Sequence, residues 1–177
     1  MKTLIKNKPK AIDVCQEEIY SDQYLNKVLT ENKTIASVGV SLNPIRPSYF
    51  VSRYLSRRGY NIIPVNPAYA GQVIWGNLAY SQLSDVMEDI DMVQIFRKSE
   101  AVPAIVEDAI THLHNLKTIW MQIGVMHAAA SQTAREHGLQ VIQNLCPKME
   151  HQRLSGELGK YGINTGLVTS RLQPLPY

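Results

Sequence analysis

Only two cysteines, Cys15 and Cys146, occur among the 177 residues. Two thiols cannot build a disulfide framework or a thiolate zinc cage, and a reducing compartment, the cytoplasm, is the expected location. Charge of one sign is equally scarce, since 18 Lys and Arg against 15 Asp and Glu leave +3. A nucleic-acid surface needs a clustered basic surplus, so no nucleic-acid partner is expected. The sequence has no apolar run of about 18 residues for a membrane span, and its opening MKTLIKNKPK lacks the apolar core of a secretory leader. No membrane partner is expected. The five histidines form neither H-E-x-x-H nor a Cys–His zinc spacing, so no metal site is expected. Repeats and low-complexity tracts are absent. What is present is 45% apolar and 19% charged residues, a composition that supports a packed core and one domain.

A regular alternation runs through that domain. Apolar positions Tyr24, Leu25, Val28 and Leu29 predict a helix over 19–32, with Ser21 or Asp22 as its cap. Short apolar strands are predicted at 34–39, 60–65, 91–96, 117–123 and 139–144. Helices are predicted between and after them at 48–59, 81–88, 99–113, 127–138 and 149–158. Five strands alternating with helices predict an α/β fold: a three-layer, Rossmann-like, doubly wound parallel sheet. The expected division is an N-terminal extension over 1–31, the sheet domain over 32–155 and a C-terminal tail over 156–177.

In such a sheet a ligand binds beyond the carboxyl ends of the strands. The first turn there reads Gly39-Val40-Ser41-Leu42-Asn43-Pro44-Ile45-Arg46-Pro47-Ser48. Against the dinucleotide fingerprint G-x-G-x-x-G, Gly39 fits, but Ser41 and Pro44 stand where glycines belong. The second strand ends Val65-Asn66-Pro67, without the acidic residue that holds the ribose of NAD. NAD is therefore disfavoured. The turn still suits an anion, because Ser41, Ser48 and the amides at the start of the next helix can meet a phosphate, and Arg46 adds a bidentate donor. The plain alternative is that Ser48 caps the helix and Arg46 is solvated. The third strand runs into Phe96-Arg97-Lys98-Ser99, where cations could meet a phosphate and Phe96 a purine. Gln122, at the end of the fourth strand, is a further candidate, whereas Trp120 is expected in the core.

Taken in order, VGVSLNPIRPSYFVSRYLSRRGYNIIPVNP, DMVQIFRKSE, WMQIGV and CPKMEH resemble the small CoA-binding proteins. These are free-standing relatives of the CoA-binding domain at the start of the succinyl-CoA synthetase alpha subunit. The resemblance spans about residues 32–155 and implies coenzyme A, or a CoA thioester, along the carboxyl edge of the sheet. It carries cofactor contacts onto Gly39, Val40, Ser41, Arg46 and Ser48, onto Asn66 and Pro67, onto Phe96 and Arg97, and onto Gln122. The chain departs from the family pattern at Gln94, at His127 and at Asn144-Leu145. The family implies a ligand and no agreed reaction.

No catalytic residue is expected. Gly39-Val40-Ser41 echoes a nucleophile elbow, but Asn43 replaces its second glycine. Cys146 has Lys148 and His151 near it, which could lower its pKa, yet a small buried thiol is the commoner case. Two function classes stay open: a CoA-binding protein with a sensing, storage or partner-regulating role, and an NADP-dependent oxidoreductase using Arg97 or Lys98 for the 2′-phosphate. The apolar positions Leu167, Val168, Leu172, Leu175 and Tyr177 in the tail favour a homodimer.

Overall fold

The structure of the chain, a computed structural model, describes residues 18–157. The tail that motivates the homodimer, beyond residue 157, and Cys15 lie outside the described residues. The strands of the main sheet are β1 (Thr34–Val38), β2 (Asn61–Val65), β5 (Met92–Ile95), β6 (Thr118–Met121) and β7 (Gln140–Ile142). Between β2 and β5, β3 (Val73–Ile74) and β4 (Asn77–Leu78) pair as a small antiparallel hairpin. The five main strands are all parallel, in the order β2-β1-β5-β6-β7. The order reverses at β1, so the crevice between the carboxyl ends of β1 and β5 is the switch point.

Period-two alternation sends successive strand residues to opposite faces. Ile35, Ile62, Met92, Trp120 and Ile142 pack under α1 (Asp22–Glu31), α2 (Pro47–Arg57) and α5 (Pro147–Leu154). Ala36, Ile63, Val93, Ile119 and Val141 pack under α3 (Val102–His112) and α4 (Ala128–Glu136). Both faces are covered, which is why the strands are mostly apolar on both faces rather than alternating, with Ser37, Gln94 and Thr118 as buried polar exceptions. The expected three-layer architecture is present. α1 belongs to this core: Leu25, Val28 and Leu29 are buried, Ser21 caps it by accepting from the Tyr24 N–H, and the Tyr60 hydroxyl donates to Leu29 O at 2.7 Å.

Two local expectations need correction. The segment 81–88 is no α-helix; it forms only a single 3₁₀ turn at Leu83–Asp85. A segment this short cannot nucleate a helix without a longer apolar face. Its anchor is tertiary, with Leu83 buried and its N–H donated to the Asp108 carboxylate at 3.2 Å. The loop after β2 contains the β3–β4 hairpin, turned by Trp75 (φ 51°) and Gly76 (φ 90°). The last helix begins at Pro147, two residues earlier than expected, with Cys146 at its N-cap position. Among the described residues no helix is long and apolar enough to cross a membrane.

Candidate functional site

Gly39 follows β1 in the left-handed conformation, φ +83°. A Cβ at this position would stand 2.8 Å from Cδ of Arg97. Glycine thus allows both the turn and the close passage of the Arg97 stem across the ends of β1 and β5. Beyond it the chain folds on local side-chain bonds: Ser41 Oγ accepts from the Asn43 N–H at 3.2 Å, and Asn43 Oδ1 accepts from the Ile45 N–H at 3.1 Å. Arg46 occupies the N-cap position of α2 and Pro47 its first turn. Ser48 is buried, and its Oγ accepts from the Ser41 N–H at 3.0 Å. It therefore braces the turn and does not cap the helix. The expected row of free amides at the helix start is also shortened, because Pro47 has no N–H and Tyr49 and Phe50 donate to Arg46 O.

This turn forms one wall of a cleft of about 710 Å³ lying over the ends of β1, β5 and β6 and against α2 and α5. Six of the expected residues line it together: Gly39, Ser41, Arg46, Ser48, Phe96 and Gln122. Arg46 is exposed and makes no side-chain bond to another described residue. Gln122 is only 6% exposed, yet its Nε2 has no hydrogen-bond partner. A buried amide donor left unpaired costs about 1–3 kcal/mol, so its presence in a cleft wall marks a place for an acceptor. Phe50 and Ile123, 44% and 42% exposed, give the same cleft an uncovered apolar lining.

The far wall comes from the turn into α5, where Cys146, Lys148 and Met149 line the cleft. The Trp120 indole fixes this turn by donating to Leu145 O at 2.8 Å, and Trp120 itself is fully buried as expected. Burial pushes the Cys146 thiol above its ordinary pKa, against the amides of Met149 and Lys148 and the Lys148 charge, which favour the thiolate. Lys148 Nζ donates to Gln152 Oε1 at 2.9 Å and lies over the Tyr54 ring.

Four expected residues stand outside this lining. Val40 is fully buried. Asn66 spends its side chain locally, Nδ2 donating to Val40 O at 2.6 Å and Oδ1 accepting from the Ala68 N–H at 3.0 Å. It thereby ties the turn after β2 to the turn after β1. Pro67 opens the 3₁₀ turn that follows, and Arg97 lies across Gly39 at the rim. Sequence reasoning missed Phe50, Ile123, Lys148 and Met149 as cleft residues. For the last two a signal existed: Pro147 marks a helix start, and a helix starting there turns Lys148 and Met149 toward the sheet edge. Gln94, one pleat below Phe96, is fully buried with both amide atoms unpartnered. Next to it on the sheet, Ser37 bonds Ser52 at 2.9 Å.

The model of a family described as a CoA binding domain matches residues 33–152. The uncharacterized protein YneT of Bacillus subtilis is 36% identical over 127 residues, covering 72% of this chain and 91% of its own. A protein structure from Thermus thermophilus superposes with a TM-score of 0.72 at 32% identity, covering 76% of this chain and 99% of that one. A hypothetical protein from Pyrococcus horikoshii OT3 gives 0.72 at 33% identity, covering 85% and 100%.

Proposed function

The chain belongs to the CoA binding domain family, and from that premise we propose that the cleft holds coenzyme A or a CoA thioester in a sensing, storage or partner-regulating role. The supporting observation is the unpartnered Gln122 Nε2, set in one cleft with a glycine turn, a free guanidinium and an apolar lining. Each part fits a different piece of the ligand. Arg46, Ser41 and the amide of Ser48 suit the phosphates, as an always-charged fork beside neutral donors. Arg97 at the rim adds a second cation, and the face of Phe96 suits the purine. Gln122 suits an amide carbonyl of the pantetheine arm, and Phe50, Ile123 and Met149 suit its methylenes. When bound, coenzyme A supplies a thiol that carries acyl groups as thioesters. The protein's own contribution is to bind and orient that arm and to exclude water from it. In this reading the binding unit is 32–155, it acts in the cytoplasm, and it assembles as a homodimer that light scattering on the full chain would detect.

The test is a thermal-shift series with CoA, acetyl-CoA, NAD and NADP. A ligand at about 100 times its dissociation constant stabilises by about 2.7 kcal/mol, which is several degrees for a domain of this size. CoA and acetyl-CoA are expected to raise the melting temperature. A shift with NADP and none with millimolar CoA would replace this reading by the oxidoreductase one, with Arg97 or Lys98 on the 2′-phosphate.

A further inference from the structure

Cys146 is the only cysteine among the described residues, and it lines the same cleft as Gln122. The segment after β7 folds back over β6, where the Leu145 N–H donates to Met121 O at 3.5 Å and Leu145 O accepts from the Trp120 indole at 2.8 Å. That sets the thiol in the wall of the cleft that Ser41, Arg46 and the unpartnered, 6% exposed Gln122 amide also line. A ligand anchored by phosphates and carrying amides along an extended arm brings its own terminus to Cys146. The Cys146 residue is 5% exposed and lines this cleft, so a reactant held in the cleft is the one placed beside it.

We propose that Cys146 is the covalent attachment point for the thiol end of that ligand, and that the cleft captures coenzyme A as a mixed disulfide by exchange with CoA disulfide. The inference rests on the CoA reading and deepens it. Cys146 loses its proton to solvent, and its sulfur attacks one sulfur of the CoA disulfide. The S–S bond of that disulfide breaks as the Cys146–CoA bond forms. The second CoA leaves as a thiolate and takes up a proton. Disulfides are conserved in the exchange, so no further oxidant enters. A reduced thiol reverses the step by the same route. Met149 and Ile123, which line the cleft with Cys146, give the new bond apolar neighbours.

The experiment incubates the reduced full chain with CoA disulfide, reads the intact mass and maps the adduct by digestion. In parallel, reduced CoA is titrated calorimetrically in the presence of reductant. One CoA per chain is expected, on the peptide that contains Cys146. The adduct should persist in Cys15→Ser, be lost in Cys146→Ser and be reversed by dithiothreitol. Labelling should be at least about tenfold faster than by glutathione disulfide at equal concentration, as for a reactant held beside its target. Mapping uses the unmutated chain, so a folding defect in Cys146→Ser would not blur the result. An adduct confined to Cys15, or equal rates with glutathione disulfide, would overturn the inference. Calorimetric CoA binding with no adduct would also overturn it while leaving the CoA reading in place. Neither binding nor adduct would remove both.

Discussion

At the amino ends of the strands, Asp91 accepts from the Lys33 and Thr34 N–H groups, both at 2.9 Å, and from Lys117 Nζ at 2.7 Å. That one carboxylate clips the starts of β1, β5 and β6 together. Asn115 bonds Asp89 and Thr118 bonds Gln140 nearby. The carboxyl ends differ at every point: a left-handed glycine, an unpaired guanidinium, an unpaired buried amide and exposed phenylalanine and isoleucine side chains. The amino end keeps one buried acceptor without a partner, Asn32 Oδ1, but only the carboxyl end gathers a buried unpaired donor, a free guanidinium and exposed apolar side chains in one cleft. The contrast sets a densely bonded edge, suited to stability, against an open edge suited to a ligand.

The largest expected effect lies at the paired end. Asp91→Ala strands two backbone amides and Lys117, and should cost about 3 kcal/mol by chemical denaturation. CoA affinity of the folded fraction should stay unchanged, because the cleft is at the opposite edge. Burial raises the Asp91 pKa, but Lys117 and the Thr34 and Lys33 amides outweigh it and hold the carboxyl below the usual range. A lowered folded pKa gives stability that is full above the unfolded value and is lost as pH falls through the folded one. An acid titration should therefore show a steeper loss below about pH 4 in the native chain than in Asp91→Asn. A large fall in CoA affinity with Asp91→Ala would break the separation of the two ends.

At the open end, Arg46→Ala removes an exposed side chain from a loop and leaves no core cavity. Its loss should weaken CoA about ten- to a hundredfold in calorimetry, with the melting temperature of the free protein unchanged. Unchanged affinity would move the phosphates to Arg97 or Lys148.

The two ends also differ in how far they were legible. The strands and the three layers follow from apolar runs and helical periods, which are local signals. Gly39, Ser41 and Arg46 are equally legible, because a turn between a strand and a helix is contiguous in the chain. Lys148 and Met149 carry one local signal, the helix start at Pro147, but that this start faces the cleft depends on β7 lying beside β6 and on α5 folding back on α2, which no local pattern encodes. For Ser48 the plain alternative of a helix cap does not hold: Pro47 already starts the helix, and the Ser48 hydroxyl accepts from the Ser41 N–H instead. The segment 81–88 is anchored by a tertiary contact, the Leu83 N–H donated to Asp108 of α3, that its own residues do not encode.

Gly39→Ala acts on stability and on the cleft at once and is best read beside Gly59→Ala. Both glycines have left-handed φ, +83° and +86°. An alanine at either should cost about 1–2 kcal/mol from backbone strain. A Cβ at Gly39 also collides with Arg97, whereas at Gly59 nothing lies within 4 Å. Stability should fall comparably in the two variants, and CoA affinity should fall only in Gly39→Ala. Equal affinities would remove the Arg97 crossing from the binding surface.

The smallest effect is expected from Ser48→Ala. Its hydroxyl is buried and already accepts from the Ser41 N–H, so its loss leaves one amide of the turn without a partner. The turn sits at the surface and water can replace the acceptor, which limits the cost to about 1 kcal/mol. CoA affinity should drop by only about threefold, less than in Arg46→Ala, because the turn is loosened while its cation remains. Denaturation and calorimetry on the two single variants and the double variant measure this directly. If Ser48 braces the turn that carries Arg46, the two losses in affinity are non-additive, since a displaced turn has already misplaced the guanidinium. Additive losses, with no change in stability from Ser48→Ala, would instead make Ser48 a direct ligand contact and extend the unmet bonding of this edge down into the first turn of α2.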